Sequence, residues 1–317
     1  MSGSTGRKRA HQKTPEEIQA IIEDSDRRIR LDHAEHIYYI KDMVDGVEVE
    51  RPAYSSSSKV LDMMFPPFDA IEVAASISSR PTSGSYKGLD YAQVLQRWED
   101  GATNGSDFHE MIENYYKCTT EDELQQWRNA SNYIVYDYLI DAFLEYAKMM
   151  REKGWVPYRI EEAIFDIGDD DPFTRYPPGT ADMIYKNADG RRLLVDFKTA
   201  ETEEAFTKAK SPTLASYPLV DVPSSKLFKG HMQTAVYSAL RETLYGEPVE
   251  TQAIVAFYWG DTPLKWKVYK PPRSLIEDAE KVIKIYKDRR ALVYRILEKY
   301  GNNEDVDHPY LPKNIDS

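Results

Sequence analysis

The sequence predicts one mixed α/β (α+β) domain with a helical N-terminal lobe. Two observations carry that reading. Up to about residue 153 the chain reads as helices around a single hairpin; after Gly154 it turns into strands, then a helix, two more strands and a closing helix. The composition, 41% hydrophobic and 30% charged over 317 residues, supplies enough apolar material for a core and excludes a wholly disordered chain.

Residues 1–13 are polar and basic and read as a disordered tail, whose Arg7-Lys8-Arg9 run suits a solvated segment better than an address. Thr14-Pro15-Glu16-Glu17 opens a helix to about Arg30: an N-cap hydroxyl, proline in the first turn, then acids against the helix dipole. Residues 36–54 alternate around Asp45-Gly46, a hairpin turn. A helix over 59–64 stops at Pro66-Pro67, residues 76–88 read as loop, and helices follow over 91–98, 105–117 and 122–153. Strands are expected over 159–166, 179–186 and 192–199, with Asn187 to Gly190 turning between the last two. A connection rich in Lys, Pro and Ser spans 200–228, then a helix over 229–245, strands over 251–260 and 264–270, and a helix over 273–300. The expected boundaries are therefore a tail at 1–13, one domain at 14–300 (lobe 14–153, core 154–300) and a tail at 301–317.

No run approaches the ~18 apolar residues a membrane helix needs, and no apolar stretch follows a basic N-terminus, so an intracellular protein is expected. One cysteine, Cys118, excludes an intramolecular disulfide and any site built on several thiolates. The net charge of −12 argues against a protein that coats duplex DNA, though not against an enzyme touching nucleic acid at one cleft.

Residues 193–199, Leu-Leu-Val-Asp-Phe-Lys-Thr, form an apolar strand that ends on an acid and a lysine. Alternate residues share a strand face, so Asp196 and Lys198 project together while Val195 and Phe197 pack on the other side. Asp182 lies between apolar positions one hairpin upstream, where antiparallel pairing brings it beside Asp196. Two converging carboxylates repel unless a cation sits between them, and oxygen ligands suit Mg²⁺ or Mn²⁺. A lysine beside such a pair suits hydrolytic phosphoryl transfer. His109, Ile112, Glu113 and Tyr116 share one helix face, on which a histidine and a glutamate need a partner. The same string lacks the final histidine of a zinc-protease motif. Gln233, Tyr237 and Arg241 form a polar line on the 229–245 helix.

In this order, the motifs resemble the PD-(D/E)xK nuclease superfamily, and most closely its RecB-like and lambda-exonuclease-like branch, which includes the mitochondrial genome-maintenance exonuclease and relatives in large DNA viruses. The matching segments are 105–113, 159–166, 179–185, 193–198 and 231–237, and residues 54–69 are similar to the opening segment of the viral members. The resemblance implies a restriction-endonuclease-like core: a central mixed β-sheet flanked by helices. It implies His109, Asp182, Asp196 and the Phe197 carbonyl as metal ligands, Lys198 as the catalytic lysine, and Gln233 and Tyr237 as residues that contact the nucleic-acid backbone or brace the site. Glu161 matches a recurrent glutamate of the viral branch and, with Glu113, is expected to support the ligands. Asp196 stands where many members have Glu, a tolerated exchange, and the four cysteines of the iron–sulfur-bearing relatives are absent.

The implied activity is a Mg²⁺- or Mn²⁺-dependent deoxyribonuclease, an exonuclease on single strands or DNA ends in replication, recombination or repair. Two alternatives stand beside it. A non-catalytic nucleic-acid-binding module of the same fold is disfavoured by the intact Asp182, Asp196 and Lys198. A metal hydrolase of small phosphorylated molecules is mildly favoured by the negative charge. An acidic protein needs a local positive path for DNA, and Lys208, Lys210, Lys226 and Lys229, with Arg241, are the expected contacts. Asp169 to Asp171 read as solvated loop, and Trp155, Trp259 and Trp266 as core.

Overall fold

The computed structural model describes residues 13–300 apart from 33–34, 36, 66–68, 80–85, 131–136, 169–173, 209–218, 220–223, 248, 261–264 and 273. Residues 1–12 and the 301–317 tail, Asp169 to Asp171 and Lys210 thus lie outside the described residues. Lys13, assigned above to the tail, instead donates to the Leu244 carbonyl at 2.7 Å.

Helix α1 (Pro15–Arg28) begins at the Thr14 N-cap read from the sequence, which the structure completes as a capping box with Glu17. It leads into β1 (Ile29–Asp32), β2 (Ile37–Val44) and β3 (Val47–Pro52), an antiparallel sheet in the order β1-β2-β3 with Asp45 and Gly46 at positive φ in its hairpin. Helix α2 (Ser57–Asp62) follows. Helix α3 (Ala70–Ser78) occupies part of the expected loop, started by the Asp69 side chain accepting from Glu72 N at 2.9 Å. The two helices expected over 91–98 and 105–117 are one, α4 (Tyr91–Lys117). It runs through Gly101 and Gly105 because Phe108, Met111 and Ile112 are buried farther along it, and packing overrides the ~1 kcal/mol each glycine costs. The expected long helix over 122–153 is divided into α5 (Glu121–Arg128) and α6 (Asp137–Glu152). The polar Asn129 caps α5, while Trp127 anchors it by donating to the Met111 carbonyl at 2.9 Å.

Strands β4 (Val156–Ile164), β5 (Gly179–Lys186), β6 (Arg192–Ala200), β7 (Thr251–Tyr258) and β8 (Trp266–Tyr269) form the main sheet in sequence order. The pairs are antiparallel except β6–β7, which is parallel. A parallel pair requires a crossover, and the 200–228 connection begins it with α7 (Glu203–Thr207) before α8 (Lys226–Leu240). The helix expected to reach residue 245 changes winding: Arg241–Tyr245 is a π-helical turn closed by left-handed Gly246. Helix α9 (Ser274–Tyr300) ends the described chain.

The sheet is packed on both faces. Ile184 and Leu194 meet α8 and α9 through Met232, Val236, Leu240 and Val282. Met183, Val195 and Phe197 meet α4 and α6 through Phe108, Ile112 and Phe143. This is the restriction-endonuclease-like arrangement of a mixed sheet between helices. Among the described residues no helix is long and apolar enough to cross a membrane.

At the start of β5, Gly179 has no room for a side chain: a Cβ would overlap the buried Tyr237 hydroxyl. Gly179→Ala is therefore expected to cost about 1–3 kcal/mol, the usual cost of overpacking. The ring carbons Cε1 and Cζ would be overlapped too, at 2.6 and 2.7 Å, so a denaturant titration should show the cost of Gly179→Ala largely gone in a Tyr237→Leu background and mostly kept in a Tyr237→Phe one.

Candidate active site

The β5–β6 register ends with Met183 opposite Val195, and the next positions in that register are Asp182 and Asp196. There the ladder opens and the Asp182 side chain takes a ladder position: its Oδ2 accepts from Phe197 N at 2.7 Å. Both aspartates are buried. Lys198 Nζ lies 2.9 Å from Asp196 Oδ1 and 2.7 Å from Oδ2, as the shared strand face predicts. Val195 and Phe197 point the other way, into the α4–α6 core.

Helix α4 delivers the histidine. Phe108, Met111 and Ile112 fix its buried face, and half-buried His109 turns toward the sheet, with Nδ1 3.4 Å from Asp182 Oδ2. Glu161 of β4 completes the group. His109, Glu161 and Asp182 each offer an atom, all within 4.8 Å of one another. Such a mixture of imidazole nitrogen and carboxylate oxygen fits a divalent cation.

The electrostatics support that fit. Burial pushes the Asp182 carboxyl up to about 6, with Lys198 and the Phe197 N–H pulling the other way. Asp196 is also raised to about 6 by burial, moderated by Lys198 and sharpened by Asp182. Glu161 goes up to about 9, first through burial and then through Asp182, Glu113 and Asp196. Burial opposes the Lys198 ammonium, but Asp196 and Asp182 outweigh it and its pKa is raised. His109 falls to about 4 through burial and the nearby Lys198, so it is neutral at pH 7 and free to ligate. The site is short of positive charge.

Of these residues His109 and Lys198 line a cleft of about 350 Å³, together with Lys226, Lys229 and Gln233 among others. The family model described as PD-(D/E)XK nuclease superfamily matches residues 88–303. The chain belongs to the PD-(D/E)XK nuclease superfamily. A solved structure titled "Crystal structure of SSO0001" is similar at 16% identity over 59% of this chain and 74% of that one, with a TM-score of 0.26. No curated protein matches.

The other expected residues of this superfamily member divide by burial. Gln233 reaches the cleft and donates to Tyr237 Oη at 3.0 Å, but Tyr237 is buried and braces β5 rather than meeting a ligand. Arg241 corrects the sequence reading: it is fully buried, ion-paired with Glu162 and Glu247, and offers nothing to nucleic acid. Helical periodicity had placed it in line with Gln233 and Tyr237, but the π-helical turn begins at Arg241. Glu113 pairs with Lys117 at 2.6 Å and acts on Glu161 through charge. Lys208 is exposed and paired with Glu204 at 2.9 Å. Lys226 and Lys229 line the cleft, Lys229 lying 2.8 Å from Asp62. Sequence reasoning missed Thr199, Phe206, Gly101 and Gly105 as cleft walls; only the placement of two glycines inside an amphipathic helix pointed to them.

Carboxyls held above their ordinary range must lose protons before they ligate a metal. Their folded pKa values exceed the unfolded ones, about 4 for Asp and Glu, so their contribution to stability is present below pH 4 and lost as pH rises through about 6 and then about 9. A cation relieves that loss. Mg²⁺ or Mn²⁺ is expected to raise the thermal midpoint by several degrees at pH 8 and negligibly at pH 5. Scanning calorimetry with and without metal reads the difference.

Proposed function

We propose that the protein is a Mg²⁺- or Mn²⁺-dependent deoxyribonuclease, an exonuclease that hydrolyses phosphodiester bonds in single-stranded DNA or at DNA ends during replication, recombination or repair. The observation that carries this reading is the pairing of buried Asp182 with His109 and of buried Asp196 with Lys198, where His109 and Lys198 line a cleft that Lys226 and Lys229 also line. His109, Glu161, Asp182 and Asp196, with the Phe197 carbonyl, would hold the cation, which when bound supplies Lewis acidity toward phosphate oxygens.

The chain's own groups divide the remaining work. Lys198, held as an ammonium by Asp196 and Asp182, donates hydrogen bonds to the phosphate or the attacking water and offsets the charge that builds on the phosphate oxygens. Its raised pKa makes it a donor and not a base. Asp182 fixes the end of β6 through Phe197 N, which holds Asp196 and Lys198 at a constant offset. Lys226 and Lys229 offer positive charge along the cleft. Helices α2, α4, α7 and α8 border the cleft with the end of β6 at its side, a slot that favours one strand or a frayed end over a wide duplex. Exposed Lys208 follows β6 and α7 and, with Lys210 two residues on in the sequence, is offered as a further contact.

Labelled single-stranded DNA incubated with Mg²⁺ or Mn²⁺, with and without chelator, tests the activity. Asp182→Ala and Asp196→Ala should abolish cleavage, a loss of at least ~10³-fold, while DNA binding in a filter or anisotropy assay persists or improves, because a negative charge facing phosphate is gone. Lys198→Ala should abolish cleavage with metal binding intact. Three variants at wild-type rates would exclude the assignment.

Binding by lysines releases counterions, so neutralising Lys208, Lys210, Lys226 and Lys229 together in a Lys198→Ala background is expected to flatten the log–log salt dependence of single-strand binding. The change should be up to about one unit per lost phosphate contact. A salt titration with an unchanged slope would put the DNA path elsewhere.

A further inference from the structure

On a regular strand, residues two apart share a face. Strand β4 breaks that rule at the site. Ile160 packs into the α4–α6 core, whereas Glu162 faces the other side of the sheet, where it meets Arg241 beyond the end of α8. Between them stands Glu161 at φ +47°, in the left-handed region that a glutamate rarely occupies. The kink that turns the faces over is therefore at the residue whose carboxylate joins His109 and Asp182.

Such a conformation persists where the surroundings over-determine it, and here they do. Arg159 Nε donates to Glu162 Oε1 at 3.0 Å, an ion pair that spans the kinked residue. Glu162 Oε2 is taken by Arg241, which is itself held by Glu247; Arg241, Glu162 and Glu247 are all almost completely buried. Glu247 also pairs with Arg192 at the start of β6. Both oxygens of one buried carboxylate are thus fixed immediately after the strained residue. Buried charges this well paired are poor devices for adding stability, since apolar packing often serves as well, and their retention suits a role in fixing geometry.

We propose that Arg159, Glu162 and Arg241 form a positioning clamp that holds Glu161 in its left-handed conformation and so keeps its carboxylate beside His109 and Asp182. The clamp rests on the reading of that cluster as a cation site. None of the three residues touches the cation; they act through Glu161, as outer groups orient ligands in metal sites.

The test is Mn²⁺ binding to the full chain without nucleic acid, followed by titration calorimetry. Arg159 is the variant of choice, since it is only half-buried and its loss leaves the Arg241–Glu162 pair intact. Arg159→Met is expected to weaken Mn²⁺ binding about tenfold, with Arg159→Lys retaining most of the affinity. In a Glu161→Gln background, itself weakened, Arg159→Met should cause no further loss. If Arg159→Met does not fold by circular dichroism, Glu162→Gln, which keeps the size and one acceptor, takes its place in the same cycle. Wild-type affinity in the clamp variant, or an equal loss with and without the Glu161 carboxylate, overturns the clamp while leaving the site reading standing. Unchanged affinity in Glu161→Gln alone removes Glu161 from the cation site, and the clamp falls with it.

Discussion

Two carboxyl groups, Glu161 and Asp182, lie within 4.8 Å of each other and of His109, and a third, Asp196, acts on both through its charge in a region mostly closed to water, with Lys198 as the cation against it. Like charges at that spacing in a low-dielectric setting cannot all be ionised without compensation. Much of the surrounding structure makes sense as the scaffolding of that repulsion. Phe197 N neutralises part of Asp182, Lys198 sits against both oxygens of Asp196, and His109 is kept neutral as a donor of electrons instead of a proton. The sheet is packed on both faces, so the acids cannot separate by moving apart. A fold that gathers its acids in this way gives up some stability to do so.

The parts of the site legible in the sequence are those set by short-range geometry. Strand alternation puts Asp196 and Lys198 on one face, hairpin spacing puts Asp182 opposite, and helix periodicity puts His109 on the face it shares with buried Ile112. The main sheet was readable for the same reason, strand by strand. What escaped were features decided by distant residues. Arg241 looks like an exposed partner of Gln233 until Glu162, far upstream, appears beside it. The continuity of α4 through two glycines, and the division after Arg128, depend on which side chains find a core. The left-handed Glu161 has no local signal at all, because residues other than glycine are uncommon there and nothing in the flanking sequence marks the position.

The two faces of the sheet carry different duties. The α4–α6 side is a dense aromatic core in which Phe143 and Tyr146 meet Phe197, and Tyr146 meets Phe257, edge to face, and it fixes the backbone of β6 from beneath. The α8 side approaches the sheet closely at Gly230, where a Cβ would sit 3.1 Å from Ile254 and 3.8 Å from Asp196 Oδ2. A larger residue there would press on the acid and on β7 together. Rigidity below and close approach above leave the cleft mouth, lined by Lys226, Lys229 and Gln233, as the surface able to vary without disturbing the acids.

The tight Asn187 to Gly190 turn also bears on the order of assembly. Strands β4, β5 and β6 pair as consecutive antiparallel neighbours, and contacts between such neighbours close short loops. Asp182, Asp196 and Lys198 are therefore gathered by an early, local event of the chain's collapse, whereas the conformation of Glu161 waits for Arg241 to reach Glu162. His109 and the parallel β7 arrive only when far longer loops have closed. A nascent chain whose meander has formed would already hold its carboxylates together, so dissolved divalent ions have a place to act as a template before the enzyme is whole.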